Sequence, residues 1–229
     1  MHWLLSALHE EWEDAGLWEA RAKIAEMAFV LVAGYCCGLR GEEIVKIDLA
    51  GLLKYLEVGR QDARHPHVIV PLLGRIKGET GECYHMMVLA RETQSGIQAG
   101  LWADRVANAN KERKRERAPV FRNKKGMRAK IGDFEGEFLE RMIRLKNSRP
   151  GLFEPGVDIT ESYSLCRSLR RGSTTQAVKM RVDQDIIELN NRWRKLDRAR
   201  GMKPSLGMKH HYTEIKLILA ALWQYSWAM

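Results

Sequence analysis

Apolar residues recur at helical spacing along most of this chain. Between residues 10 and 35 they alternate with glutamate and arginine at intervals of three and four positions, which predicts a single helix. Gly38 interrupts the pattern, and a short second helix is expected from Glu42 towards Ile47. The first part of the chain is therefore expected to be helical.

Further helices are expected downstream, separated by stretches rich in glycine and proline. Their apolar positions again repeat at helical spacing. They are a helix after Ala90 with Leu101, Trp102 and Val106 on one face, residues 134–146, a helix with Leu165 and Leu169 that Thr160, Glu161 and Ser162 would cap, residues 182–189, and residues 211–227.

The hydrophobic period changes between residues 67 and 89. Two short apolar runs, residues 67–73 and 83–89, flank a turn with Gly78 and Gly81, which predicts a β-hairpin. The expected fold class is therefore mainly α with a small antiparallel β-sheet. We expect one domain over residues 1–229, in which residues 1–18 are an extension, without a separate N-terminal domain.

Composition and charge restrict the cellular location and the class of partner. No apolar run approaches the roughly 20 residues that a membrane span needs, and the first residues lack the features of a secretory signal, so we expect an intracellular protein. The four cysteines, Cys36, Cys37, Cys83 and Cys166, have no zinc-type spacing, and we expect free thiols and no metal. A net charge of +9 favours a polyanionic partner, but charge alone leaves DNA, RNA and an anionic membrane open.

The positive charge is densest between residues 111 and 130, where ten basic residues face two acidic ones. Such a run is often a solvated helix end or loop, and it also suits a nuclear-import signal or a contact with the DNA backbone. The candidate DNA-binding residues are Lys111, Arg113, Lys114, Arg115, Arg117, Lys124 and Lys125.

Arginines in apolar surroundings are the candidates for residues that bind a phosphate during catalysis. Cleaving a phosphodiester without a metal needs a nucleophile, cations on the non-bridging oxygens and an acid for the leaving group. Arg40 follows an apolar helix and has Glu43 three residues on, although a surface ion pair would give the same pattern. Arg167 and Arg170 share a predicted helix face, which indicates either an anion between them or a solvated basic face.

Three further residues complete the set of candidates. Lys77 lies at the hairpin turn, where a lysine is usually only solvated but can reach a nearby oxygen as an acid. Trp193 stands between two arginines and is either a core residue or a neighbour of a phosphate. Tyr212 follows Lys209 and two histidines, and nearby cations would lower its pKa, unless it is an ordinary core or surface tyrosine.

In chain order these residues resemble the catalytic domain of the tyrosine recombinase (phage integrase) family. That family shows Gly-Leu-Arg-x-x-Glu, a hairpin lysine, His-x-x-Arg, His or Trp, and Tyr, over a region similar to residues 19–227 here. Residues 191–195 and 211–214 are similar to motifs of eukaryotic mobile-element-like branches. The resemblance implies a recombinase catalytic-domain-like fold, double-stranded DNA as partner, self-assembly on DNA through the last helix, no cofactor, and a location in the nucleus of a eukaryote or otherwise in the cytoplasm.

The resemblance also implies a role for each residue. Tyr212 would attack the phosphate and form a 3′-phosphotyrosine bond, and Lys77 would protonate the leaving 5′-oxygen. Arg40, Arg167 and Arg170 would bind the non-bridging oxygens. Trp193 would contact the phosphate, and Glu43 would support the arginines.

The chain departs from the family pattern at two points. Arg167 stands where the family has histidine, and arginine cannot accept a proton near neutral pH. The interval from Trp193 to Tyr212 is longer than is common. A DNA-binding protein without catalysis, a type IB topoisomerase-like enzyme and a basic helical RNA-binding or scaffold protein are the alternatives. The last of these predicts that Arg40, Arg170 and Tyr212 lie far apart.

Overall fold

The computed structural model describes residues 1–74, 84–115, 119–123, 125–191 and 215–229. The helices in these ranges are α1 (His2–Asp14), α2 (Trp18–Cys36), α3 (Gly41–Ile44), α4 (Leu49–Tyr55), α5 (Ala99–Glu112), α6 (Gly132–Ser148), α7 (Ile159–Ser162), α8 (Ser168–Lys179), α9 (Gln184–Asn191) and α10 (Ile215–Trp227). Short 3₁₀ turns occupy Gly59–Gln61 and Pro150–Leu152. The strands are β1 (His67–Leu73) and β2 (Tyr84–Ala90).

The predicted fold class is confirmed in its coarse form, since the structure is mainly helical with one two-stranded antiparallel sheet. β1 pairs with β2 so that Val68 lies opposite Leu89 and Val70 opposite Met87. The apolar runs predicted both strands to within one residue. Most of β1 is buried, because α4 and α5 cover this sheet.

Helix α2 forms the centre of the core. It is apolar on nearly all sides, and Phe29, Val30 and Leu31 are fully buried. Helices α1, α5 and α8 pack around it. A Cβ atom on Gly34 would lie 2.5 Å from the Leu169 side chain, so glycine lets α8 approach α2 closely.

The single helix predicted over residues 10–35 was wrong, because the chain breaks between α1 and α2. Leu17 takes an extended conformation there, and the Arg21 side chain donates to the carbonyl oxygen of Ala15 at 2.8 Å. Residues 1–18, expected as an extension, contain α1. Its Leu4, Leu5 and Leu8 are buried in the same core as α2.

Two other local predictions need correction. Thr160, Glu161 and Ser162 do not cap the helix that carries Leu169, because α8 begins only at Ser168 and has no side-chain cap. They lie within the separate helix α7, where the Asp158 carboxylate accepts from two backbone N–H groups. Trp102 and Val106 are buried as predicted, but Leu101 is 39% exposed.

Helix α10 packs on its own chain, against β2 and α9. The Ser226 hydroxyl accepts from the backbone N–H of Ala90 at 2.9 Å, and the Trp223 indole donates to the carbonyl oxygen of Pro66 at 3.1 Å. Tyr225 and Ser226 are fully buried. The apolar residues that predicted this helix are thus partly covered within the chain.

Candidate functional site

A cleft of about 630 Å³ lies between α3 and the start of α8, and we call it the arginine cleft. Five cationic and two acidic side chains line it, together with a thiol, two threonines and a glycine. They belong to Arg40, Gly41, Glu42, Glu43, Lys46, Cys166, Arg167, Arg170, Arg171, Thr174 and Thr175. This excess of positive charge in a concave site favours an anionic ligand.

Three arginines predicted from distant parts of the sequence, Arg40, Arg167 and Arg170, all line the arginine cleft. Arg40 lies on the backbone turn that starts α3, whereas Arg167 and Arg170 lie at the start of α8. A close approach of the backbone brings the two segments together, because a Cβ on Gly41 would lie 2.9 Å from the Cα of Cys166. A residue larger than glycine would separate the two walls of the cleft.

Glu43 connects the two walls. Its carboxylate accepts from the backbone N–H of Arg40 at 2.9 Å, the bond expected of a glutamate three residues into a helix. The same oxygen lies 3.5 Å from a guanidinium nitrogen of Arg170. The Glu43 side chain is only 4% exposed, so the contact is screened little by water. The supporting role expected for Glu43 would therefore act through its contacts with the backbone of Arg40 and the side chain of Arg170.

Arg170 is held from a second direction. Its guanidinium also donates to the backbone carbonyl of Asn191, at the end of α9. The Arg170 side chain is 11% exposed, and two acceptors from different elements therefore restrict its orientation.

Arg167 lies just outside α8 as its N-cap residue, with non-helical φ and ψ angles of −128° and −36°. The prediction that Arg167 and Arg170 share a helix face is therefore not accurate in detail. The exposed Arg167 side chain nevertheless lines the same cleft.

Lys77, Trp193 and Tyr212 lie outside the described residues. In the described part of the chain, Tyr225 lies close enough to Arg170 to interact with its charge, and its side chain is fully buried. Burial raises its pKa, and a hydrogen bond with Ser173 opposes this effect. A buried, protonated phenol is a poor nucleophile, which argues against Tyr225 as a candidate for that role.

The second half of the basic stretch, residues 119–123 and 125–130, runs beside the arginine cleft. The backbone N–H of Val120 donates to the carbonyl oxygen of Ile47 at 3.1 Å, and a Cβ on Gly41 would meet the Ile131 side chain at 2.8 Å. Between these two contacts, the side chains of Lys125, Arg128 and Lys130 are exposed. Positive charge thus continues from the cleft onto the neighbouring surface.

The predicted DNA-binding residues differ in their surroundings. Lys111, Lys114 and Lys125 are exposed. Arg113 instead forms a partly buried ion pair with Glu26. Burial lowers the pKa of Arg115, and the neighbouring arginines 113 and 122 lower it further. Arg117 and Lys124 lie outside the described residues.

The sequence-based interpretation missed Lys46 and Arg171 as cleft residues, and Asn191 as a partner of Arg170. Two of these had a signal in the sequence. Lys46 follows Glu43 by three residues, and Arg171 is adjacent to Arg170. Asn191 had none, because its contact with Arg170 uses a backbone carbonyl and depends on how α9 packs.

Comparisons with protein-family models, curated proteins and solved structures find no match to this chain. In the ranges that the structure describes, no group of histidine, cysteine and acidic side chains could hold a metal ion. None of the helices within these ranges combines the length and apolar character needed to cross a bilayer.

Proposed function

We propose that this protein cleaves and rejoins DNA by tyrosine recombinase chemistry, with the arginine cleft as the site of the scissile phosphate. The observation that carries the proposal is that Arg40, Arg167 and Arg170, from opposite parts of the chain, line one cleft. A solvated basic surface does not require such convergence. Binding of one phosphate by several arginines does, because each planar guanidinium can donate two parallel hydrogen bonds to its oxygens.

The proposed chemistry assigns a task to each group. Tyr212 releases its phenol proton to solvent, attacks the phosphorus and forms a 3′-phosphotyrosine bond while the 5′-oxygen leaves. Lys77 gives a proton to that oxygen, and the arginines stabilise the charge on the non-bridging oxygens. The released 5′-hydroxyl, or one from another strand, later attacks the phosphotyrosine and restores the phosphodiester.

Trp193 is assigned to the same phosphate. It follows Asn191 by two residues, and Asn191 contacts Arg170 directly. This short distance along the chain supports a role for Trp193 at the cleft.

The basic surface beside the cleft supports duplex DNA as the partner. Lys125, Arg128 and Lys130 are exposed on the segment that packs beside Gly41 and Ile47. They would contact backbone phosphates next to the scissile one, and such contacts make affinity fall steeply with salt.

A covalent-adduct assay tests the proposal. The protein is incubated with a pool of nicked duplexes of random sequence, in which a cleaved strand diffuses away and traps the intermediate. We expect a denaturant-resistant, protease-sensitive DNA adduct that disappears in Tyr212→Phe and persists in Tyr163→Phe, a tyrosine packed on Phe153. Formation of the adduct by Tyr212→Phe, or its absence from the wild type, would contradict the assignment.

A DNA-binding protein without catalysis is the second candidate, and one observation favours it. None of the described residues that line the cleft is a histidine, and Arg167 cannot accept the tyrosine proton. This alternative predicts salt-sensitive DNA binding that depends on Arg170, with no adduct in the assay above. A topoisomerase-like activity would instead give an adduct and relaxation of supercoiled DNA by a monomer.

Self-assembly on DNA through α10 is also a proposal. Because α10 packs on β2 of its own chain, exchange between protomers would require this helix to leave that position. Sedimentation of the protein with and without duplex DNA tests it, since assembly predicts a complex with more than one protein chain per DNA.

A further inference from the structure

A group of buried polar side chains lies beneath the arginine cleft. Ser173, Asn190 and Tyr225 are fully buried, and Asn191 is 1% exposed. We call these four residues the buried polar cluster. Burying hydroxyl and amide groups is unfavourable unless they are hydrogen-bonded, so their partners define the use of the cluster.

The buried polar cluster contacts the helix that carries Arg170 at successive positions. The carbonyl oxygen of Asn191 accepts from the Arg170 guanidinium, and its side-chain amide donates to Thr174 Oγ1 at 3.2 Å. Ser173 Oγ donates to the carbonyl oxygen of Arg170 at 3.1 Å. The Tyr225 hydroxyl lies 3.2 Å from Ser173 Oγ. Helix α10 is thus linked to the Arg170 backbone through one hydroxyl pair.

The same cluster touches the turn that precedes Arg40. Gly38 has a positive φ of 59°, and a Cβ there would lie 3.0 Å from the Tyr225 hydroxyl and 3.0 Å from Asn191 Oδ1. Asn190 Nδ2 donates to the carbonyl oxygen of Cys37 at 3.0 Å. One buried hydroxyl therefore lies between the two segments that supply the arginines of the cleft.

We propose that Tyr225 is a positioning residue for the arginine cleft. Through the hydrogen bond between Tyr225 and Ser173, the position of α10 on the core influences the orientation of Arg170. This inference rests on the proposed role of the cleft in binding phosphate. A phenylalanine would fill the same apolar space without a buried hydroxyl, so packing alone does not explain tyrosine at this position. Tyr212 precedes the first residue of α10 by three positions in the sequence, so the same contact links the helix that follows the proposed nucleophile to the phosphate site.

The test is the affinity for a short duplex DNA over a range of salt concentrations. We expect Tyr225→Phe and Ser173→Ala each to weaken binding about 3- to 10-fold, the effect of losing one hydrogen bond. Because the two changes share the hydrogen bond between Tyr225 and Ser173, the effect of the double variant should be smaller than the sum of the two single effects. Tyr163→Phe makes the same chemical change away from the cleft and should bind like the wild type.

Double-variant cycles distinguish positioning from a general loss of structure. If Tyr225 acts through Arg170, the effects of Tyr225→Phe and Arg170→Gln should overlap, whereas those of Tyr225→Phe and Arg171→Gln should add. Full additivity of Tyr225→Phe and Arg170→Gln would overturn the positioning role of Tyr225 and leave the phosphate-binding role of the cleft standing. An unchanged affinity in Arg170→Gln would instead overturn the phosphate-binding role of the cleft and this inference with it. If Tyr225→Phe fails to fold, Ser173→Ala takes its place in both cycles.

Discussion

The Glu43 carboxylate lies 3.5 Å from the guanidinium of Arg170, although more than half of the chain separates the two residues. The same carboxylate oxygen accepts from the backbone N–H of Arg40. Glu43 therefore holds together the two segments that supply the arginines of the cleft. Among the described residues, the other charged side chains that line the cleft are those of Arg40, Lys46, Arg167, Arg171 and Glu42.

Glu43→Gln should lower the free energy of unfolding by about 1.5–3 kcal/mol, because Arg170 and the Arg40 N–H lose a charged acceptor in a buried place. Urea unfolding at neutral pH measures the change. Glu42→Gln is the matched control, since Glu42 is an exposed neighbour in the same helix and should stay within about 0.5 kcal/mol of the wild type. Equal effects of the two variants would contradict the supporting role of Glu43.

Arg167→Ala should weaken DNA binding in a salt-dependent manner. Loss of one phosphate contact reduces the slope of log affinity against log salt by about one. Fluorescence anisotropy with a labelled duplex at several salt concentrations measures this slope. Arg144→Ala removes an exposed charge from α6 and serves as control. A slope unaffected by Arg167→Ala would place the DNA elsewhere.

Gly38→Ala should be more destabilising than alanine at another glycine of positive φ. Both Gly38 and Gly156 have a conformation that costs alanine about 1 kcal/mol, but nothing lies within 4 Å of a Cβ on Gly156. At Gly38 the new methyl would meet polar atoms at 2.9 and 3.0 Å. We therefore expect Gly38→Ala to cost at least about 1 kcal/mol more than Gly156→Ala in urea unfolding, and equal costs would show that the cluster moves aside easily.

Cys166 should report occupancy of the cleft. It is exposed and lines the cleft, whereas Cys36 and Cys37 are buried. In a Cys83→Ser background, alkylation of the native protein should occur at Cys166 and slow down when duplex DNA is added. High salt, which releases DNA, should restore the rate. Labelling that is unchanged by bound DNA would mean that the duplex does not cover the cleft.

Tyr35 should make stability fall at alkaline pH. Burial raises its pKa to about 12, with nearby Cys36 and Tyr225 adding to the shift, while an unfolded chain ionises near its usual value of about 10. The folded state keeps the proton longer, so this contribution is complete below about pH 10 and is lost as the pH rises towards 12. Urea unfolding from about pH 8 upward should show a shallower loss in Tyr35→Phe, and an identical loss would contradict the assignment.

The parts of the fold that could be predicted from the sequence have strong local signals. The β-branched and apolar runs around residues 67–73 and 83–89 fixed the strands, because few other structures suit such short apolar segments. The break between α1 and α2 was missed because Leu17 and Trp18 continue the helical spacing. In the structure Leu17 is 70% exposed and Trp18 47% exposed, so their apolar character does not mark the core.

The site was predictable only where residue type and order carry the chemistry. Arg40, Arg167 and Arg170, which line one cleft, were selected from the sequence because the planar guanidinium group suits phosphate binding. The contact of Asn191 with Arg170, and that of Tyr225 with Ser173, could not be inferred, since each joins elements whose packing is set by the whole core.

The tight contacts at Gly34 and Gly41 have a consequence for how this protein can vary among species. The Leu169 side chain and the Cys166 backbone occupy the space that a Cβ at these positions would need. Exchange of the exposed Arg167 would cost the fold little, whereas enlarging either glycine would require α8 to move. Among homologues these two glycines should therefore be retained more often than Arg167.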